Sequence, residues 1–493
     1  MSKTVKPGIY WLLAFVMLGL VGGCSTKKPA EPETVAQVGN RQIDWMHLKR
    51  SFELNPKWGR GLTWREAYQN QLNFLIDEKL FAQAAESEGL VKDSVLASYL
   101  KFVEDKELIK ELYRQEIADK IQISEEELQQ AYQKSKKKVK LKYIFTADSS
   151  VAEKISGIWK TGGFEAIPEE LKEKVRSGET PLFGFGDMEE SLEAVVFDLR
   201  QGEIAGPVPV TDGFMVVQLI YGEVDKFLSE YDFAEKQSKL KKVIFERRTS
   251  KASNRFIKNF MADKDLQLNP AIFYALAAEF NRIIQNKTTD TPVPVYLNEE
   301  EIRQANLDLE ELRDKVLISH RDGEMTVGEF LKRLRQMPLH LRPNLKQPEK
   351  LKDAIGVATR NEYLAKEARQ RGLHKSPRAK REIAIQKDEL LARYWVERHA
   401  RSIGVTDEEL KQYKGSPRLV ELEKKLGKKV SDEELRDLLR NAKIAEFKVY
   451  ASDSLKRVYP VKIDSTILSQ KIKNPDKIIS YNPAKVIVRE LFN

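Results

Sequence analysis

Few side chains in this sequence could make or break covalent bonds. Cys24 is the only cysteine, which rules out a disulfide framework and any multi-thiolate metal site. The five histidines, His47, His320, His340, His374 and His399, show no metal-ligand spacing. On amphipathic helices such residues read as packing or surface groups. Gly184-Phe185-Gly186-Asp187 is too short to wrap a phosphate and precedes no Lys-Ser/Thr. No cofactor and no metal is therefore expected. Residues 138–224 contain no histidine at all, yet they carry apolar residues in ordered patterns with Tyr143 and Asp212 among them. Such a set can hold a ligand by burial and orient it with a hydrogen bond, which is the chemistry of binding.

The elements that must place these residues are readable. Val139 to Phe145 alternates as a half-buried strand, with Val139, Leu141 and Tyr143 on one face. The lysines at 136–138 suggest an exposed strand edge protected by charge. Between Ser191 and Leu199, the apolar Leu192, Val195, Val196 and Leu199 form one helical stripe that Gly202 would end.

The whole chain sets the frame. With 493 residues it exceeds one ordinary core. Its 41% hydrophobic and 32% charged residues, with a mean hydropathy of -0.50, describe a well-solvated helical protein. The net charge of +9 is spread through mixed Lys/Glu stretches, which argues against a nucleic-acid stripe. The N-terminus differs. Lys3 and Lys6 precede an apolar run from Ile9 to Val21 that ends at Gly22-Gly23-Cys24, a signal-like segment too short to span comfortably. Residues 1–23 are read as a signal peptide and 24–34 as a tether, with an uncleaved anchor helix as the alternative. In both cases the body lies outside the cytoplasm.

Two segments about 282 positions apart repeat one pattern. The first opens at Val35 and turns at Gly39-Asn40 before Asp44; the second opens at Val316 and turns at Asp322-Gly323 before Thr326. Each reads as a strand, a polar turn and an N-cap that starts an amphipathic helix. Gly89-Leu90 matches Gly372-Leu373, where a helix needs a left-handed end. Ser124-Glu-Glu-Glu127 matches Thr406-Asp-Glu-Glu409, both capping boxes. The resulting plan is α+β: helical modules in two related copies, 35–137 and 296–445, around a small α/β domain with an antiparallel sheet at 138–224. A helical segment and linker, 225–295, with Pro292 and Pro294 near its end, follows that domain. The tail, 446–493, alternates at Phe447-Lys-Val-Tyr-Ala451 and reads as strands.

Leu20-Val21-Gly22-Gly23-Cys24 resembles a bacterial lipobox, which implies lipid attachment at Cys24, and Ser25 resembles an outer-membrane address. Residues 192–220, with Gly202-Glu203-Ile-Ala-Gly206-Pro207-Val208 and Gly213-Phe214-Met215, resemble the C-terminal half of a parvulin-type peptidyl-prolyl isomerase. The helical repeat resembles the chaperone domain of SurA-type and PrsA-type foldases. By that resemblance Met188, Leu192 and Phe214 form a proline pocket, and Tyr143 and Met215 stand where the family carries histidines. Asp212 is a candidate polar group. An X-Pro isomerase needs polar groups aimed at the twisted amide as well as an apolar pocket. The resemblance thus implies a lipid-anchored chaperone at the periplasmic face of the outer membrane that binds unfolded exported proteins without ATP, its isomerase site inert. Two alternatives stay open: an active isomerase with an altered site, and an envelope scaffolding lipoprotein. The partners expected are unfolded polypeptides and the membrane, with no nucleic acid; a homodimer is left open.

Overall fold

The computed structural model describes residues 33–54, 59, 61–226, 229–285, 296–337, 339, 342 and 348–479. Residues 1–32 with Cys24, the linker prolines 292 and 294, His340 and the end of the tail from 480 lie outside them.

The first copy begins with β1 (Thr34–Val38) and β2 (Arg41–Asp44), then α1 (Trp45–Leu54), α2 (Trp64–Ser87), α3 (Ser94–Glu116) and α4 (Glu125–Ser135). Next come β3 (Lys137–Thr146), α5 (Ser149–Gly162), α6 (Glu169–Lys172), β4 (Arg176–Glu179), α7 (Glu190–Val196), β5 (Ile204–Val210) and β6 (Gly213–Val224). A long helix, α8 (Glu230–Met261), leads to β7 (Gln267–Leu268), α9 (Pro270–Gln285) and α10 (Glu299–Asp308). The pattern restarts at β8 (Val316–His320), β9 (Gly323–Thr326), α11 (Val327–Gln336), α12 (Pro348–Gln370) and α13 (Pro377–Ala400). It closes with α14 (Asp407–Tyr413), α15 (Pro417–Leu426), α16 (Asp432–Val458), β10 (Val461–Ile463) and α17 (Ser465–Lys471). The class is α+β, as expected.

Local chemistry sets these boundaries. Ser124 and Thr406 each form both halves of a capping box, so the open amides at the starts of α4 and α14 are satisfied. Asp44 accepts from the His47 amide at 2.8 Å to start α1, and Thr326 caps α11 with Glu329. Gly89 and Gly372 have φ of 71° and 72°, left-handed positions beyond the ends of α2 and α12.

The chain divides into two compact units, residues 113–263 and residues 33–112 with 264–479 among those described. The expected boundaries at 138, 225 and 446 change accordingly. The capping-box helix α4 and all of α8 join the sheet domain, whereas β7 and α9 join the repeat. The 446–493 tail is not β-rich where it is described. α16 runs unbroken to Val458, and only Val461–Ile463 is strand. Phe447, Ala451 and Leu455, four apart, face the core, while Val449 is 64% and Tyr450 76% exposed. A helical stripe with apolar residues on its outer side had mimicked period-two alternation.

Within the repeat unit the two copies exchange their trailing strands. β7 follows the first copy yet pairs antiparallel with β8 of the second, through Gln267↔Ser319 and Leu268↔Ile318. β10 follows the second copy yet pairs with β1 of the first, from Ala36↔Ile463 to Val38↔Val461. Each three-stranded sheet, β10-β1-β2 and β7-β8-β9, is thereby completed by its neighbour. The segment α16–β10–α17 is therefore the counterpart of α8–β7–α9. The inserted domain of the first copy has only α15 as its counterpart in the second.

The two copies meet along α2 and α13. Phe81 stacks on Trp395 at 5.1 Å, and Trp395 on Phe447 at 5.8 Å. Beside these rings Lys79, with a side chain only 2% exposed, pairs with Asp388 at 3.1 Å, and Arg41 joins Asp388 at 2.8 Å and Glu86 at 2.9 Å. Gly89 and Gly372 are 283 positions apart, and the same offset relates Glu86 to Arg369 and Asp105 to Asp388. Arg369 binds Asp105 directly. Glu86 and Asp388, both acidic, need Arg41 between them. The offset thus relates an ion pair, Arg369–Asp105, to two acids, Glu86 and Asp388, that share Arg41.

Burial pushes the Glu78 carboxyl up to about 7, against the pull of Lys79. A raised carboxyl favours the folded state below its ordinary range, and that contribution is lost as pH rises through about 7. Glu78→Gln is therefore expected to raise Tm relative to the parent at pH 8 and to leave it unchanged at pH 5. Thermal unfolding across that range reads the difference. Asp388→Ala leaves Lys79 buried beside an incomplete partner set. It should cost about 3 kcal/mol or more in denaturant unfolding, against under about 1 kcal/mol for Arg50→Ala at the exposed Arg50–Glu382 pair.

Candidate functional site

The sheet of the 113–263 unit runs β4-β3-β6-β5, all antiparallel. β3 is thus an interior strand, and the lysines 136–138 at its start do not guard an edge. Lys136 is 5% exposed and is held by Asp225 at 2.9 Å and Asp232 at 2.7 Å, with Tyr132 donating to Asp232 at 2.7 Å. The Lys136 ammonium keeps the Asp232 carboxyl well below the usual range. Lys137 donates to the Phe197 carbonyl. Asp225 also bonds the Lys136 carbonyl through its amide. The chain therefore enters and leaves the sheet at one tied point.

Alternation sorts the side chains onto two faces. Val139, Leu141, Val217, Leu219, Leu192 and Val196 make a buried cluster on one face, and Tyr143, Phe183, Met188 and Met215 pack against it while staying partly exposed. Ile144 and Val216 belong to a second cluster with Trp159 on the other face. The structure brings Met188, Leu192, Tyr143 and Met215 together in one cluster. Phe214 is not among them. It neighbours Met215 within β6 and shares the face of Val216, so strand geometry removes it from the pocket side. Phe183 takes a place there instead, bonded through its backbone to Val139 at 2.8 Å in both directions. Asp212 lies at the exposed tip of the β5–β6 hairpin with φ of 67°, so its position answers the turn rather than the pocket.

Backbone approach sets the remaining geometry. Gly206 has φ of 117°, and a Cβ there would lie 2.6 Å from the Met215 carbonyl oxygen. Only glycine lets β5 come this close to Met215. Gly178 lies opposite Tyr143 in the ladder, and a Cβ there would stand 3.4 Å from the Tyr143 hydroxyl. The ring thus lies over β4, with no hydrogen bond to its hydroxyl among the described residues.

A clamp that the sequence did not reveal steadies α7 and the segment before it. Arg247 of α8 makes two bonds to Glu193 of α7, at 2.8 and 2.7 Å, and a third to the Met188 carbonyl at 3.3 Å. Glu193 is 5% exposed and also accepts from the Gly186 amide at 2.8 Å. The guanidinium lies 5.0 Å from the Phe185 ring centroid. Nothing in the spacing distinguishes Arg247 from the other cations of α8.

Residues 123–223 match the model of the PPIC-type PPIase domain. This segment is a parvulin-type domain. Its matched start at 123 takes in α4, in agreement with the compact unit rather than with a boundary at 138. The chain is 27% identical over 167 residues to the foldase protein PrsA of Geobacillus sp. (strain WCH70), covering 32% of this chain and 60% of that one. It is 25% identical over 257 residues to the foldase protein PrsA 2 of Bacillus cereus, covering 49% of this chain and 85% of the relative. The chain thus spans less than two thirds of the Geobacillus relative. A structure of the SurA-like chaperones PEB4 and Cj1289 from Campylobacter jejuni aligns with a TM-score of 0.21 and 19% identity, over 48% of this chain and 100% of that one. The chain is similar to PrsA foldases over part of its length and contains a parvulin-type domain.

In the parvulin-type domain the apolar cluster holds Leu192 buried, with Phe183, Met188 and Met215 partly exposed against it. The polar complement is one tyrosine hydroxyl. Arg247→Ala would leave Glu193 buried without its fork and Met188 without its anchor. It should lower the stability of the full chain by about 3 kcal/mol in chemical unfolding. Arg247→Lys should recover only part of that, since an ammonium cannot make the paired contact.

Proposed function

We propose that this protein is an extracytoplasmic, lipid-anchored chaperone of the foldase class that holds unfolded exported polypeptides at proline-containing segments, with an inactive isomerase site. One observation carries this reading: Tyr143 and Met215 pack into the apolar cluster beside Met188 and Leu192, and no histidine occurs between 138 and 224. A surface that favours an apolar ring survives, whereas the imidazoles that would face a twisted amide are replaced by a phenol and a thioether. Met215 is flexible and polarizable, suited to varied apolar side chains. The foldase relatives support the chaperone class, and the Cys24 lipobox supports anchoring, with Ser25 favouring the periplasmic face of the outer membrane.

The free Tyr143 hydroxyl favours a second reading, a slow isomerase that donates one hydrogen bond to the substrate carbonyl. Removing a single donor of this kind costs roughly 2.7–4 kcal/mol where it matters.

Two assays on the full chain decide. Aggregation of a denatured outer-membrane protein should be suppressed at near-stoichiometric ratios; undiminished light scattering would overturn the chaperone reading. Isomerisation of a proline tetrapeptide should proceed at the uncatalysed rate. A catalysed rate that falls at least tenfold in Tyr143→Phe would establish the second reading instead.

A further inference from the structure

The second half of α8 is far more basic than any other helix face in the parvulin-type unit. Between Gln237 and Met261 the only acid is Glu246, against eight lysines and arginines. At 3.6 residues per turn, Lys241, Arg247, Arg248, Lys251, Arg255 and Lys258 fall within roughly 120° of arc, and Glu246 falls outside it. From Lys241 to Lys258 this strip is about 26 Å long. Arg247, Arg248 and Lys251 are tied to Glu193, Glu127 and Glu190. Lys241, Arg255 and Lys258 are exposed and form no ion pair among the described residues. The strip therefore carries an uncompensated positive charge.

The surface beside it is concave. A hollow of ≈ 410 Å³ lies between Arg248, Lys251 and Arg255 on one side and Lys120, Ile121 and Gln122 on the other. A second hollow, of ≈ 280 Å³, shares Arg248 and Lys251 and continues to Phe185 and Glu190. Glu190 opens α7, the helix that carries Leu192, and Phe185 lies two residues after Phe183. The two hollows, joined through Arg248 and Lys251, follow the basic strip and end at Glu190, two residues before Leu192 in the chain. Its walls combine cations with Ile121, Ala252 and Ile244.

We propose that this strip binds acidic segments flanking the proline or apolar anchor of a client, which makes acidic, proline-containing extended polypeptides the favoured class. The inference rests on the client-binding reading above and adds a charge preference to it. Concavity decides between two anionic partners. An extended chain can enter hollows of this size and lay carboxylates against Arg248, Lys251 and Arg255, whereas a bilayer surface would meet chiefly Lys241 and Lys258, which lie outside both hollows.

The test uses the full chain and fluorescent 15-residue peptides with an Ala-Pro core flanked by Glu, Gln or Lys, read by anisotropy. The Glu-flanked peptide should bind about tenfold tighter than the Gln-flanked one at low salt, the combined effect of two or three exposed ion pairs. That advantage should vanish at 0.5 M NaCl and in the double variant Arg255→Glu/Lys258→Glu, whose exposed sites leave the fold intact by circular dichroism. Equal binding of Glu- and Gln-flanked peptides would overturn the charge preference while leaving client binding in place. Failure of all three peptides would overturn both. Phosphatidylglycerol vesicles should not bind through the strip. If they bind the parent and not the variant, while peptide binding is the same in both, the surface belongs to the membrane and the proposal falls.

Discussion

The backbone of a strand must find partners on both sides or meet water, and the two small sheets of the repeat unit depend on this requirement. β1 and β8 are middle strands, yet each has only one partner from its own copy. The other comes from the trailing segment of the neighbour. The remaining features of the unit accompany this exchange. α17 packs on β1 and α9 on β8, so each borrowed strand brings a helix that covers the sheet. The α2–α13 junction joins the copies, and its buried ions are tolerated because Arg41, Lys79, Asp388 and Glu86 satisfy one another. Neither copy is a complete domain, although each carries a full set of sequence signals.

The parvulin-type domain is joined to the chain differently. It occupies the slot between α4 and α8, closed by Lys136 with Asp225 and Asp232, and the equivalent slot of the second copy holds only α15. Its pocket is not self-sufficient. The Met188 carbonyl and the Glu193 carboxylate are fixed from α8, so the helix after the domain steadies α7 and the segment before it. Along the β3–β6 ladder Leu141, Val217 and Leu219 are buried in the apolar cluster, while Tyr143 and Met215 pack against it and stay partly exposed.

Much of this was legible in the sequence because it is local. Capping boxes at Ser124 and Thr406, left-handed glycines at 89 and 372 and the hairpin turns are written within four residues, and all occur where the pattern placed them. The strand exchange could not be read that way. Gln267-Leu268 and Val461–Ile463 carry no mark of the strand they will meet, since any unpaired edge of suitable register will serve. The helical tail was misread because Phe447, Val449 and Ala451 alternate, while the decisive spacing, Phe447, Ala451 and Leu455, extends beyond that window. Phe214 was placed with Met188 by family pattern, although the alternation that put Tyr143 on one face assigns Phe214 to the other.

The pairing of β1 with β10 also has a chronology. A chain made from its N-terminus presents β1 some four hundred residues before its outer partner exists, and closing so long a loop is slow even where its entropic cost is modest. Until Val461–Ile463 emerges, the first module has an open sheet edge and an uncovered face. The protein thus spends its own early life in the state its proposed clients occupy. Its N-terminal module becomes complete only once the β10 segment, some four hundred residues after β1, has been made.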